Sequence, residues 1–129
     1  MNTNSIPILS SEEIRVLGSL MEKARATPDY YPMTLNGLTN ACNQKSSRKP
    51  VVEYSEAEVM NALKSLRAKG LVATETGGSN RTIKYRHSFS AAFDLGPAAI
   101  AILCLLFLRG PLTPGEINSN ANRLYDFES

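Results

Sequence analysis

The sequence predicts a mainly α-helical fold with one small antiparallel β-hairpin (α+β), and three observations predict it. Between Ser55 and Lys69 a capped apolar stripe reads as a helix. Directly after it, two short segments of β-branched or alternating residues flank a glycine-rich turn. Before it stand two further helical stripes, each behind a capping residue. Helix, short extended piece, helix, helix and hairpin, in that order, make the plan of a winged helix-turn-helix.

Residues 1–8 are polar and read as a flexible lead-in without the charged and apolar regions of a signal peptide. Ser10 and Glu13 have capping-box spacing, and Ile14, Leu17 and Met21, with Leu20 beside them, mark a helix running to about Ala26. Pro28 ends it, because proline cannot continue a helix and restricts the residue before it. Tyr30 to Met33 reads as a short edge strand, where Pro32 is tolerable. Tyr30 and Tyr31 are expected to pack beside the first helix. Thr34 caps a second helix lined by Leu35, Leu38 and Cys42. Residues 43–54 form a long polar connector holding Lys45, Arg48 and Lys49, with Pro50 near its middle.

The third helix starts at the Ser55–Glu58 capping box, buries Val59, Leu63 and Leu66, and stops at Gly70. Leu71–Thr76 and Arg81–Phe89 are the two strands, joined by Gly77-Gly78-Ser79-Asn80. The winged-helix domain thus spans residues 9–90. After a linker the pattern begins again. Leu9, Ile14, Val16, Leu17, Leu20, Met21 and Lys23 match Leu95, Ile100, Ile102, Leu103, Leu106, Phe107 and Arg109 at a constant offset of 86. Thr113, Pro114 and Glu116 then open a further helix carried by Ile117, Ala121 and Leu124. Residues 95–129 therefore read as the first part of a second winged-helix unit. Its third helix and hairpin are missing, so the chain is expected to be a fragment of a longer protein.

Ala98–Leu108 is an unbroken run of eleven apolar residues. A bilayer span needs about 20, so no membrane partner is expected and the run reads as a buried helix. Any part of it left exposed would favour a homodimer through Ile100, Leu103 and Phe107. Cys42 and Cys104 both lie on apolar stripes, which favours buried, reduced thiols and a cytoplasmic setting.

These residues are similar to those of the YceH-like family of bacterial tandem winged-helix proteins of unknown function. The resemblance rests on Tyr31-Pro32-Met33-Thr34-Leu35-Asn36-Gly37-Leu38, Ala41-Cys42-Asn43-Gln44-Lys45, Arg48-Lys49-Pro50-Val51, Asn80-Arg81 with Lys84-Tyr85, the run Leu108 to Glu116, and Arg123 to Phe127. It covers nearly the whole chain after the lead-in. It implies a cytoplasmic protein with two winged helices that continues past Ser129, and it brings no catalytic residues and no cofactor. The helix after Thr113 tends to be more basic in that family, whereas here it carries Asn118, Ser119, Asn120 and Asn122. Contact of that helix with a polyanion should be weaker in consequence.

Charge is unevenly placed. Cys42–Phe89 holds nine Lys/Arg against four Asp/Glu, while the rest holds five against eight. Concentrated positive charge on a helix-and-hairpin segment is the footprint of a nucleic-acid module. On the third helix, Asn61, Lys64 and Ser65 lie opposite the apolar stripe, where Asn can pair with adenine and Lys with guanine or phosphate. Arg81, Lys84 and Arg86 would contact backbone from the wing, and Lys45, Arg48 and Lys49 would clamp phosphates from the connector. Duplex DNA is one expected partner. The other is a protein, because Glu53, Glu56 and Glu58 put negative charge at the start of the third helix. That charge order also suits any solvated helix. His87 is the only histidine and cannot build a zinc site with two distant cysteines, so it is expected as a surface or half-buried ring. No nucleophile elbow or phosphate-cradling glycine loop appears, so an enzyme is not expected.

Overall fold

The computed structural model describes residues 8–76, 82–88 and 96–110. Among them lie helices α1 (Ser11–Ala26), α2 (Leu35–Cys42), α3 (Glu56–Ala68) and α4 (Pro97–Arg109), a 3-10 turn at Pro28–Tyr30, and strands β1 (Val72–Glu75) and β2 (Lys84–His87). The glycine-rich turn with Arg81, most of the linker, and the helix expected after Thr113 fall outside the described residues.

Each start signal works as its chemistry dictates. The Glu13 N–H donates to Ser10 Oγ at 3.1 Å and the Ser10 N–H donates back to Glu13 Oε1 at 2.9 Å. Ser55 and Glu58 repeat that reciprocal pair at 3.1 and 3.0 Å. Thr34 Oγ1 accepts the Gly37 N–H at 3.1 Å. Each cap satisfies N–H groups that the first helical turn leaves without partners. The stop after α3 is Gly70, at φ +76°, a left-handed conformation that glycine adopts without penalty.

The two strands pair antiparallel, from Val72 opposite His87 to Glu75 opposite Lys84. The extended piece after α1 is shorter than expected. Tyr30 N–H bonds Thr27 O and Tyr31 N–H bonds Pro28 O, which closes a 3-10 turn instead of a strand. Only Met33 reaches the sheet, exchanging both backbone bonds with Tyr85 at 3.0 and 2.7 Å. The same turn corrects the expectation for Tyr30, which projects outward at 78% exposure instead of packing beside α1. Tyr31 does pack against the core, and its hydroxyl accepts the His87 N–H at 2.7 Å.

α1 is the centre of the molecule. It packs against α2, α3, α4 and β2, and every residue from Arg15 to Glu22 is buried. The α3 stripe of Val59, Leu63 and Leu66 is buried as its spacing predicts, joined by Ala62. α4 lies across α1 at a close approach. A Cβ on Gly18 would stand 3.0 Å from both Leu108 Cδ2 and Phe107 Cβ. Glycine is what lets the two backbones come so near. No helix of the described residues is long and apolar enough to cross a membrane. Cys42 and Cys104 are buried and neither is in a disulfide. Burial pushes the Cys42 thiol up to about 11, so it stays protonated at neutral pH.

Candidate nucleic-acid interface

α3 turns its apolar stripe inward and leaves Asn61 and Lys64 exposed. Ser65, expected beside them, is engaged by α1: its hydroxyl donates to Glu13 Oε2 at 2.8 Å. Lys69 Nζ donates to the same oxygen at 2.7 Å. Burial alone would raise the Glu13 pKa. The bonds from Lys69, from the Ser10 backbone and from Ser65, with the Lys69 charge, outweigh it and bring the carboxyl down to about 2. Beside this knot lies a hollow of about 310 Å³ between the start of α1 and α3, with Glu12, Glu13 and Glu58 on its walls next to Asn61. The half of α3 nearest its N-terminus is therefore electronegative on the side that carries Asn61.

The hairpin contributes Arg86, exposed, and Lys84, half-buried. Arg81 falls outside the described residues. The His87 ring is half-buried beside the Tyr31 ring, centroids 6.2 Å apart. Burial lowers its pKa and the neighbouring Arg86 charge adds to this, favouring the neutral ring.

The connector, residues 43–54, shows what the sequence does not. Lys45 and Lys49 are exposed, but Arg48 is buried, 6% exposed, against a Glu22 with no exposure at all. Its two terminal nitrogens grip the Glu22 carboxylate at 2.7 and 3.1 Å, and its Nε donates to Ala41 O at 3.1 Å. This corrects the expectation that Arg48 clamps phosphate. The guanidinium is spent inside the fold, because a buried carboxylate needs a bidentate partner. Arg15 completes the arrangement, donating to Cys42 O at 2.9 Å and also to Pro50 O. Asn43 closes the mouth of the loop, donating to Tyr54 O at 2.9 Å and accepting the Tyr54 N–H at 2.8 Å. The Lys49 N–H donates to Leu108 O at 2.8 Å, so the loop also satisfies a carbonyl at the end of α4.

Arg15 and Glu22 are the residues that sequence reasoning misses. A signal is present: Arg15, Ser19 and Glu22 recur at helical spacing as a polar stripe on an otherwise apolar helix, and all three are buried. Of the expected self-association residues, Ile100 is buried within this chain at 5% exposure, and Leu103 and Phe107 are partly buried against the same core. The apolar surface of α4 is largely consumed by α1. Among the described residues no group of three or more His, Cys, Asp or Glu could hold a metal ion.

Fold and site together define a mainly helical α+β protein with a two-stranded antiparallel sheet, with exposed cations on a clamped loop (Lys45, Lys49), on α3 (Lys64) and on the hairpin (Arg86), besides Arg25 on α1. The chain belongs to the family described as proteins of unknown function, DUF480, whose model matches residues 9–129. It is 52% identical over 124 residues to a UPF0502 protein of Opitutus terrae, covering 96% of this chain and 54% of that protein. It is 50% identical over 124 residues to UPF0502 proteins of Shewanella sp. strain W3-18-1 and Shewanella putrefaciens, covering 93% of this chain and 56% of each. The resemblance to an uncharacterised bacterial family is thereby established. The chain spans about half the length of the curated relatives it matches.

Proposed function

We propose that this chain is a DNA-associated, non-enzymatic protein of winged-helix plan, a transcriptional regulator in kind, with α4 opening a second unit of the same plan. The order α1, Met33 bridge, α2, α3 and hairpin supports that plan, with Met33 in the place of its first strand. The observation that carries the functional reading is the exposure pattern of α3 and β2. Asn61 and Lys64 face outward from a helix anchored by Val59, Leu63 and Leu66, and the hairpin that follows carries an exposed Arg86. A helix presented in this way can enter a major groove while the hairpin contacts flanking phosphates. Fluorescence anisotropy of the full chain with a labelled mixed-sequence duplex, repeated across salt concentrations, tests it. Affinity should fall linearly on a log–log plot as salt rises. Absence of salt-sensitive binding overturns the reading.

The hollow walled by Glu12, Glu13 and Glu58 favours a second reading. It would repel phosphate and attract a basic segment, which suits a scaffold that binds protein and does not read DNA. Recovery of one stoichiometric protein in a nuclease-treated pull-down supports that reading. Recovery of nucleic acid alone removes it.

A further inference from the structure

Resting on the DNA reading above, we infer that the connector is a preorganised phosphate-contact loop, with Lys45 and Lys49 as its contacts and the buried Glu22–Arg48 pair as the device that positions them. Thirteen residues lie between α2 and α3 with no helix or strand of their own, a length uncommon in a compact fold and commonly functional. This loop is also held from five directions. Asn43 and Tyr54 close its mouth, Arg15 takes the carbonyls of Cys42 and Pro50, and Arg48 reaches Ala41 O. Arg48 further grips Glu22, and Leu108 O receives the Lys49 N–H.

A fold that only needed to pass from α2 to α3 could do so with apolar residues at these places. Burying a charge pair adds little or nothing to stability compared with such residues. What the pair supplies is direction. The Arg48 guanidinium, held by Glu22, donates to Ser47 O, and the Lys49 N–H donates to Leu108 O, so the peptide units on either side of Arg48 are both tied down. Ser47, just before it, is held at φ +58°, a left-handed conformation that serine adopts only under constraint. Lys45 and Lys49 stand two residues before and one after this fixed pair, both exposed. The acid of the connector, Glu53, lies beyond Pro50. Fixing the backbone removes most of the ordering cost that a free loop would incur on meeting a phosphate. Glu22 and Arg48 are thus positioning residues, and they act only through the lysines.

The experiment is a cycle of variants in the full chain, read by anisotropy with the mixed-sequence duplex. Lys45→Ala with Lys49→Ala should make the log–log salt slope shallower by roughly 1.8, as expected when two phosphates are no longer neutralised. Arg48→Lys should shift the slope in the same direction, and Glu22→Gln should match it although Glu22 has no exposure. Added to the double lysine variant, Arg48→Lys should cause no further loss. If Arg48→Lys and Glu22→Gln fail to fold, Asn43→Ala removes only the pair across the loop's mouth and carries the same expectation. An unchanged slope in the double lysine variant overturns this inference and leaves the DNA reading standing. So does an Arg48→Lys effect that persists in full without the lysines. No binding by the parent protein removes both.

Discussion

The Cys104 thiol donates to the backbone carbonyl of Gly18 at 3.5 Å, and the two residues are separated by the 86 positions that relate the apolar pattern of α1 to that of α4. Corresponding points of two similar helices therefore meet at their crossing. Such self-matching contacts are characteristic of surfaces related by a two-fold axis. Here both surfaces belong to one chain.

Gly18→Ala tests that crossing. Glycine to alanine inside a helix ordinarily stabilises by about 0.5–1 kcal/mol. The new Cβ here would lie 3.0 Å from Phe107 Cβ, an atom next to the backbone that cannot swing aside. Overpacking of this kind costs about 1–3 kcal/mol, so the sign should reverse. A lowered urea midpoint checks it. A midpoint equal to or above that of the parent would show that the helices stand further apart.

Glu13 links part of the stability to acid pH. Its folded pKa, about 2, lies below the ordinary 4.5. The stabilisation is complete above the unfolded value and is lost as pH falls from there toward 2. Melting temperature should thus fall between pH 4.5 and 2 in the parent protein. Glu13→Gln should start lower at neutral pH and show a flatter profile over that interval.

Breaking the Glu22–Arg48 pair from one side should be severe. Arg48→Met leaves Glu22 buried without its bidentate partner, a loss of about 3–5 kcal/mol. Replacing both, with Glu22→Leu and Arg48→Met, should cost less than the single change. Chemical denaturation of the three variants measures this. A double variant as weak as the sum of the singles would contradict it.

On the hairpin, Lys84→Ala with Arg86→Ala should weaken binding to mixed-sequence duplex and flatten the salt slope by roughly 0.9 for each phosphate that either side chain neutralises. Melting temperature should stay near that of the parent, because Arg86 is exposed and Lys84 is only half-buried. A parent-like slope would place the hairpin away from DNA.

Legibility in the sequence follows the reach of each interaction. Ser10, Thr34 and Ser55 cap the helices expected of them because capping is decided within one turn. Gly70 stops α3 for an equally local reason. Val59, Leu63 and Leu66 face inward because spacing alone settles which side of a helix is apolar. Arg48 is the opposite case. Its partner lies 26 residues upstream, and nothing near Arg48 distinguishes a buried guanidinium from a solvated one. Tyr30 is easily misread because a 3-10 turn and an extended edge can share the same few residues, and here the backbone bond to Thr27 decides between them. The engagement of Ser65 by Glu13 is likewise invisible in sequence, since it joins residues 52 apart.

The unbroken burial of α1 from Arg15 to Glu22 has a consequence for how this chain can change. A rod enclosed on every side has no face to spare, and each side is already matched to a different neighbour. Inserting or deleting one residue near its midpoint would turn everything beyond by about 100°. That turn would swing Glu22 out of line with Arg48 while Arg15 kept its hold on Pro50. Novelty in this molecule must therefore enter at its loops and hairpin tips, never along its axis.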